Sequence, residues 1–209
     1  MIELYHCADA RSFRALWALE EMELPYRLHV MPFPPRVRQP AYLDENPLGT
    51  IPLLVDGATR ITESAAIIQY LAVRYGPTDL AVAPDEAGYG EWLNWLHFGE
   101  ATLTFPQTLV LRYRMLEPPE RRLPQAADDY AQWFHSRLRH VERALAEREW
   151  LVGDRFTMAD ISVGYALLLA KSLKIDNGFP PNVAAYWERL KARQAFGRAK
   201  VAQKGELAI

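Results

Sequence analysis

The sequence predicts two parts in series: a small α/β sheet domain followed by a domain of helices alone. Three observations carry that reading. Residues 2 to 75 alternate short apolar runs with helical patterns in the order β-α-β and then β-β-α. Gly76-Pro77 breaks the last of those helices. Beyond Pro84 no strand pattern stands out, while helical spacing runs through residues 86–115, 125–147, 158–173 and 183–192. The expected domains are therefore 1–76 and 85–209, joined by a surface linker over 77–84.

Each element has a local reason. Ile2 to Tyr5 is a short apolar run and reads as the first strand. Cys7-Ala8-Asp9-Ala10-Arg11-Ser12 has the small and polar residues of a strand-to-helix turn, with Asp9 or Ser12 able to cap the helix that follows. Phe13, Leu16, Trp17 and Met22 give that helix an apolar face, and Pro25 stops it. Tyr26 to Val30 alternates apolar with polar, as a half-buried strand does. Pro32 to Pro40, rich in proline and arginine, reads as loop with a little helix. Ile51 to Val55 and Thr59 to Thr62 flank the Asp56-Gly57 turn signal and read as a hairpin. Ala65 to Tyr75 is a helix burying Ile67, Ile68, Leu71 and Tyr75.

Composition narrows the function. The 209 residues are 50% hydrophobic and 24% charged, which suits a globular protein rather than a disordered one. A formal charge of -2 offers no electrostatic attraction to nucleic acid or to an anionic membrane. Cys7 is the lone cysteine, so an internal disulfide and a cysteine-rich metal site are both excluded. No apolar run reaches the roughly 18 residues of a membrane span. The start Met1-Ile2-Glu3 lacks the layout of a signal peptide. The expectation is a cytoplasmic protein without a metal.

Two segments carry the chemistry. In Asn46-Pro47-Leu48-Gly49-Thr50-Ile51-Pro52-Leu53-Leu54-Val55-Asp56-Gly57, a proline sits where a strand begins. It cannot donate to a ladder, so it needs an edge, a bulge or a cis bond. A cis bond would turn the Ile51 main chain outward, where an extended peptide could pair with it; a plain strand-start proline after a Gly49 turn is the alternative. In Ile61-Thr62-Glu63-Ser64-Ala65, a hydroxyl and a carboxylate fall where a strand gives way to a helix. The free N–H groups and positive end of that helix suit a ligand carboxylate, with Ser64 as an added donor and Glu63 facing an ammonium. The plainer alternative is a simple helix cap. A third segment, Leu151-Val152-Gly153-Asp154 followed by Phe156-Thr157-Met158-Ala159-Asp160, carries a Thr-x-x-Asp capping box, whose meaning is structural.

Together these segments resemble the glutathione transferase superfamily. Asn-Pro-Leu-Gly-x-Ile-Pro and Thr-Glu-Ser-x-Ala-Ile resemble its glutathione-binding half, and Gly-Asp-x-Phe-Thr-x-Ala-Asp resembles its C-terminal signature. Trp17 to Glu21 and Trp92-x-x-Trp95 extend the likeness over nearly the whole chain. The resemblance implies a thioredoxin-like N-terminal domain plus an all-α C-terminal helical bundle, pairing as a homodimer. It implies a cis bond before Pro52. It also implies that Ile51, before the cis Pro52, pairs with the cysteinyl main chain of glutathione, that Thr50 beside it is a further glutathione contact, and that Glu63 and Ser64 hold the γ-glutamyl end. Thr50 stands where Gln or Lys is common.

The family's reaction is attack by the glutathione thiolate. A free thiol near pKa ~8.5 is mostly protonated at neutral pH, so the protein must favour the anion. The turn after the first strand is where the resemblance places that task. Aligning Phe13-Arg14 with the family's aromatic-Arg pair puts Asp9 where many classes carry a catalytic Ser, and Arg11 near the beta-class Cys. A carboxylate beside the sulfur would oppose ionisation. The candidates in order are Ser12, Arg11 and Asp9. Tyr5 reads as core and Cys7 as a small buried filler. A second-substrate pocket would draw on Trp95, Phe98, Thr102, Phe105 and Tyr113, although aromatic residues at helical spacing also suit a core. His97 alone supports no metal site. Arg36, Arg38 and Gln39 lie in the loop where the family often meets the glycine carboxylate, but here they read as a solvated surface. The leading expectation is conjugation of glutathione to a small apolar electrophile. Its rivals are a glutathione-dependent disulfide reductase or isomerase on the same fold, and a glutathione-binding scaffold without catalysis.

Overall fold

A computed structural model describes residues 1–205. Two compact units emerge from the packing: Met1–Ala81 together with Lys191–Ile209, and Val82–Leu190.

The first unit is built on a four-stranded sheet of order β2-β1-β3-β4. Its strands are β1 (Ile2–His6), β2 (Tyr26–Val30), β3 (Leu53–Asp56) and β4 (Thr59–Ile61). β1 runs parallel to β2 and antiparallel to β3, and β3 runs antiparallel to β4. This mixed sheet with its helices is the thioredoxin-like arrangement. The parallel β1–β2 pair needs a crossover, which α1 (Phe13–Glu21) supplies. Phe13, Leu16, Trp17 and Leu19 of α1 are fully buried. On the other side of the sheet, Cys7, Met31, Tyr42, Ile51 and Leu53 form a second apolar cluster. Tyr42 comes from α3 (Tyr42–Glu45), which follows the one-turn helix α2 (Pro35–Arg38). The hairpin leads into α4 (Ser64–Arg74), which buries Ile67, Ile68 and Leu71.

The second unit is helical. The expected helix over 86–115 is instead α5 (Tyr89–His97), a π-helical stretch Phe98–Thr104, α6 (Phe105–Leu111) and a second π-helical stretch Arg112–Leu116. Pro106 has no N–H for an α ladder, which accounts for a break in its vicinity. Then come α7 (Pro124–Ala144), α8 (Met158–Ser172) and α9 (Pro181–Lys191). α8 is buried from Met158 to Ala170 and is the central element of this unit. Gly99 lets α5's continuation lie against it, because a Cβ there would sit 2.4 Å from Ser162 Oγ. Ser162 in turn donates to the Leu96 carbonyl at 2.6 Å.

The last helix, α10 (Gln194–Ala202), lies outside the helical spans read from the sequence, and it packs with the sheet unit rather than the helical one. Its buried residues are Ala195, Phe196 and Ala199, too few and too small for a clear periodic signal. Phe196 meets the ring of Phe13 edge-on at 5.3 Å and that of Trp17 at 5.0 Å. Arg193 grips Glu21 through two bonds of 2.6 and 2.8 Å, and Arg198 pairs with Glu20 at 2.8 Å.

Thr157 and Asp160 form the capping box that the spacing predicts. The Asp160 carboxylate accepts from Thr157 N–H at 2.8 Å, Leu151 N–H at 3.1 Å and the Tyr186 hydroxyl at 2.8 Å. It also accepts from the Thr157 hydroxyl at 3.1 Å and is fully buried, so its loss would leave four donors without this acceptor. Asp160→Ala is therefore expected to cost about 3 kcal/mol or more of stability, read by urea denaturation of the full chain.

Candidate active site

The sheet register gathers the predicted segments at one end. Tyr5 lies opposite Leu53, so the turn after β1 and the residues before β3 share an edge. Leu54 lies opposite Ile61, and that register carried two residues further sets Pro52 across from Glu63. Segments 7–12, 50–52 and 63–64 thus meet where β1 and β4 end and β3 begins.

In the turn, Ser12 is fully buried. Its hydroxyl accepts from the Cys7 N–H at 3.2 Å and faces the Cys7 carbonyl at 3.4 Å, and it makes no cap bond to α1. Asp9 has φ of 53°, in the left-handed region. Its carboxylate accepts from Lys200 at 2.6 Å and from the Gln203 amide at 2.7 Å, both from the C-terminal segment. Arg11 is half-buried on the same turn. The Cys7 thiol is fully buried near the Pro32 carbonyl, and burial pushes it up to about 12. Tyr5 stacks on His29 at 4.4 Å and tilts against Tyr42 at 5.5 Å, and burial raises its hydroxyl.

The Ile51–Pro52 peptide is cis. The loop before it is pinned from beneath. Both the Tyr42 hydroxyl and the Asn46 side chain donate to the Thr50 carbonyl at 2.8 Å, and Asn46 Oδ1 accepts from Leu48 N–H at 3.2 Å. Gly49 has φ of 60°, and a Cβ there would fall 2.7 Å from Arg36 Cβ. The β1–β3 ladder ends at Leu53, leaving the Ile51 main chain outside it. At the start of α4, Glu63 is exposed and extended, and no side chain caps the helix. Ser64 is 3% exposed, and its Oγ accepts from the buried Arg14 guanidinium at 3.1 Å. The supporting roles of Tyr42, Asn46 and Arg14 escape a reading of the sequence. The one available hint for Arg14 is a charge set among the apolar residues of α1.

This geometry can be set beside known proteins. Residues 10–74 match the model of the glutathione S-transferase N-terminal domain, and residues 111–194 match that of its C-terminal domain. A glutathione S-transferase of Arabidopsis thaliana is 31% identical over 94% of this chain and 94% of the relative. Glutathione S-transferase 3 of Zea mays is 32% identical over 79% of this chain and 77% of its own length. The chain belongs to the glutathione S-transferase family. Among solved structures, a glutathione transferase of Phanerochaete chrysosporium in complex with oxidized glutathione is 27% identical, with a TM-score of 0.84 over 97% of this chain and 96% of that one.

In this chain, the residues expected to line a second-substrate pocket have varied settings. Trp95 is 2% exposed, packed against Phe98 at 5.1 Å and stacked on His140 at 4.8 Å. Phe98, Thr102 and Tyr113 are half-buried, and the Arg112 guanidinium lies over the Tyr113 ring. Phe105 is exposed, with its edge to Trp133 at 6.5 Å. His97, Arg36 and Arg38 are exposed and Gln39 is half-buried.

His6, the last residue of β1, is fully buried and shares Gln203 with Asp9. Because the Gln203 carbonyl oxygen only accepts, His6 must donate from Nε2. Burial holds its pKa down at about 4, against 6.5 for an ordinary imidazole. The unfolded chain takes this proton near pH 6.5 and the folded chain only near pH 4. Stability from this group is therefore complete above pH 6.5 and is lost as pH falls towards 4, by roughly 2–3 kcal/mol. Denaturation curves of wild type and His6→Asn across that window should differ in slope, the wild type being steeper. A second measurement checks Cys7: iodoacetamide at pH 8 should leave the native protein unlabelled and label it once unfolded.

Proposed function

We propose that this protein conjugates the thiolate of glutathione to a small apolar electrophile, acting as a cytoplasmic homodimer. The convergence of segments 7–12, 50–52 and 63–64 at one end of the sheet is the observation that carries the reading. The tripeptide would lie extended along the Ile51 main chain, beside Thr50 and the cis Pro52. Its γ-glutamyl carboxylate would meet the uncapped N-terminus of α4 and the Ser64 hydroxyl, and its ammonium would face Glu63. The thiol would then fall at the turn ahead of α1, where the positive helix end and Arg11 favour the anion. Ser12 contributes by fixing the turn through Cys7, and Asp9 is directed towards Lys200. The sulfur lone pair forms the new S–C bond. With an aryl halide, the halide departs with its bonding electrons, and the thiol proton passes to solvent.

Burial of Cys7 speaks against a disulfide reductase working through its own thiol. No helix among the described residues is long and apolar enough to cross a membrane.

Calorimetry with reduced glutathione tests the site, and an aryl-halide conjugation assay tests the chemistry. Glu63→Ala and Ser64→Ala should each weaken glutathione binding about tenfold or more, the loss expected for a hydrogen bond to a charged group. The bound thiol should ionise well below pH ~8.5, read from thiolate absorbance. Binding without that shift would favour a scaffold over an enzyme.

A further inference from the structure

The turn ahead of α1 is held from outside by α10. Asp9 donates its main-chain N–H to Gln203 Oε1 at 3.1 Å, and its Oδ1 accepts from Gln203 Nε2 at 2.7 Å and from Lys200 Nζ at 2.6 Å. Gln203 Oε1 also accepts from His6 Nε2 at 3.3 Å. These donors and acceptors are mutually consistent and leave one orientation for the Gln203 amide. Gln203 is 6% exposed, so little water competes for its own bonds, whereas the Lys200–Asp9 pair is 32% and 36% exposed and relies on Gln203 to hold its geometry. They fix Asp9 in a left-handed conformation that Asp tolerates better than most residues. α10 has its own anchors, Phe196 on Phe13 and Trp17 and Arg193 on Glu21, so its place does not depend on Asp9.

We propose that Gln203 and Lys200 are positioning residues for the thiol-activating turn: they clamp Asp9, turn its carboxylate towards α10 and neutralise it there, so that it does not oppose the glutathione thiolate. The clamp rests on the site described under Proposed function, with the thiol at this turn. It gives a reason for an acidic residue where the resemblance places a catalytic hydroxyl. The charge is an attachment point for Lys200 and Gln203. Other titratable groups around Asp9 are His6 from β1, Arg11 and Cys7 from the turn region, and Lys200 from α10. His6 stays neutral and Cys7 stays a thiol through the assay range of pH 6 to 9. Asp9 and its lysine partner are therefore the pair whose balance the variants change.

The test uses full-length protein with Lys200→Met and Gln203→Leu. It reads glutathione affinity by calorimetry, and the pH dependence of bound thiolate absorbance and of kcat/KM. With the Ile51 and Glu63–Ser64 contacts untouched, Kd measured at about pH 6, where the thiol form binds, should stay within about twofold, and at higher pH it should weaken by no more than the midpoint rises. The thiol midpoint should rise by roughly half to one pH unit, which lowers kcat/KM at pH 6.5 about three- to tenfold. Lys200→Arg should keep the wild-type profile, and Asp9→Asn placed in Lys200→Met should return the midpoint towards wild type. A merely structural role for Lys200 would leave the midpoint in place, and that result overturns the clamp. So would a midpoint unmoved by Asp9→Asn in the double variant. If instead wild-type protein takes up no reduced glutathione, the site itself falls and the clamp falls with it. Should Gln203→Leu fail to fold, the Lys200 and Asp9 variants decide the matter alone.

Discussion

Antiparallel pairing of β3 with both β1 and β4 is the constraint from which the candidate site follows. A strand leaves one side of a sheet at its end and enters from that same side at its start only if its neighbours run the other way. β3 begins where β1 and β4 end, so the chain passes this edge at residues 7–12, at 50–52 and at 63–64. Apart from Ser64, which opens α4, these residues lie outside regular structure. Each segment is held by a few specific bonds: Ser12 on the Cys7 main chain, Tyr42 and Asn46 on the Thr50 carbonyl, and Arg14 on Ser64. A slip in register would put the side chains of each strand on the wrong face, so the apolar cores on both sides of the sheet also protect the geometry of this edge.

Burial sorts the polar groups around that edge. Cys7 sits beside the turn, yet its thiol is pushed up to about 12 because it has an apolar shell and no cation to favour the anion. His6 is held neutral for the same reason. Glu63 and Thr50 stay exposed and can meet a ligand, whereas Ser12 spends its hydroxyl on the backbone. A small polar residue near a reactive centre is as often part of the frame as part of the chemistry. The number of its internal bonds distinguishes the two.

Much of the fold was legible because its signals are local. The β-α-β and β-β-α order shows in alternation and in the Asp56-Gly57 turn. The helix caps show at Thr157 and Asp160. The candidate site was legible where its motifs are contiguous, as in Asn46 to Pro52 and Thr62 to Ser64. What escaped depends on contacts between residues far apart in the chain. Arg14 and Ser64 are 50 positions apart, and Asp9 and Gln203 are 194 apart. No periodicity encodes such pairs. α10 escaped for a related reason, since three buried side chains and a pair of arginines on Glu20 and Glu21 make a docking surface without making a pattern.

The return of α10 to the sheet has a consequence for biosynthesis. Ribosomes deliver the amino end first, and a domain made of one continuous stretch can close as soon as it emerges. Here the unit that begins at Met1 is completed only by Lys191 and the residues after it. The strands and first helix must wait, with the faces of Phe13 and Trp17 that Phe196 will cover still open, while the intervening helices are translated. A nascent chain of this protein thus carries an unfinished amino-terminal unit until the residues of α10 have been made.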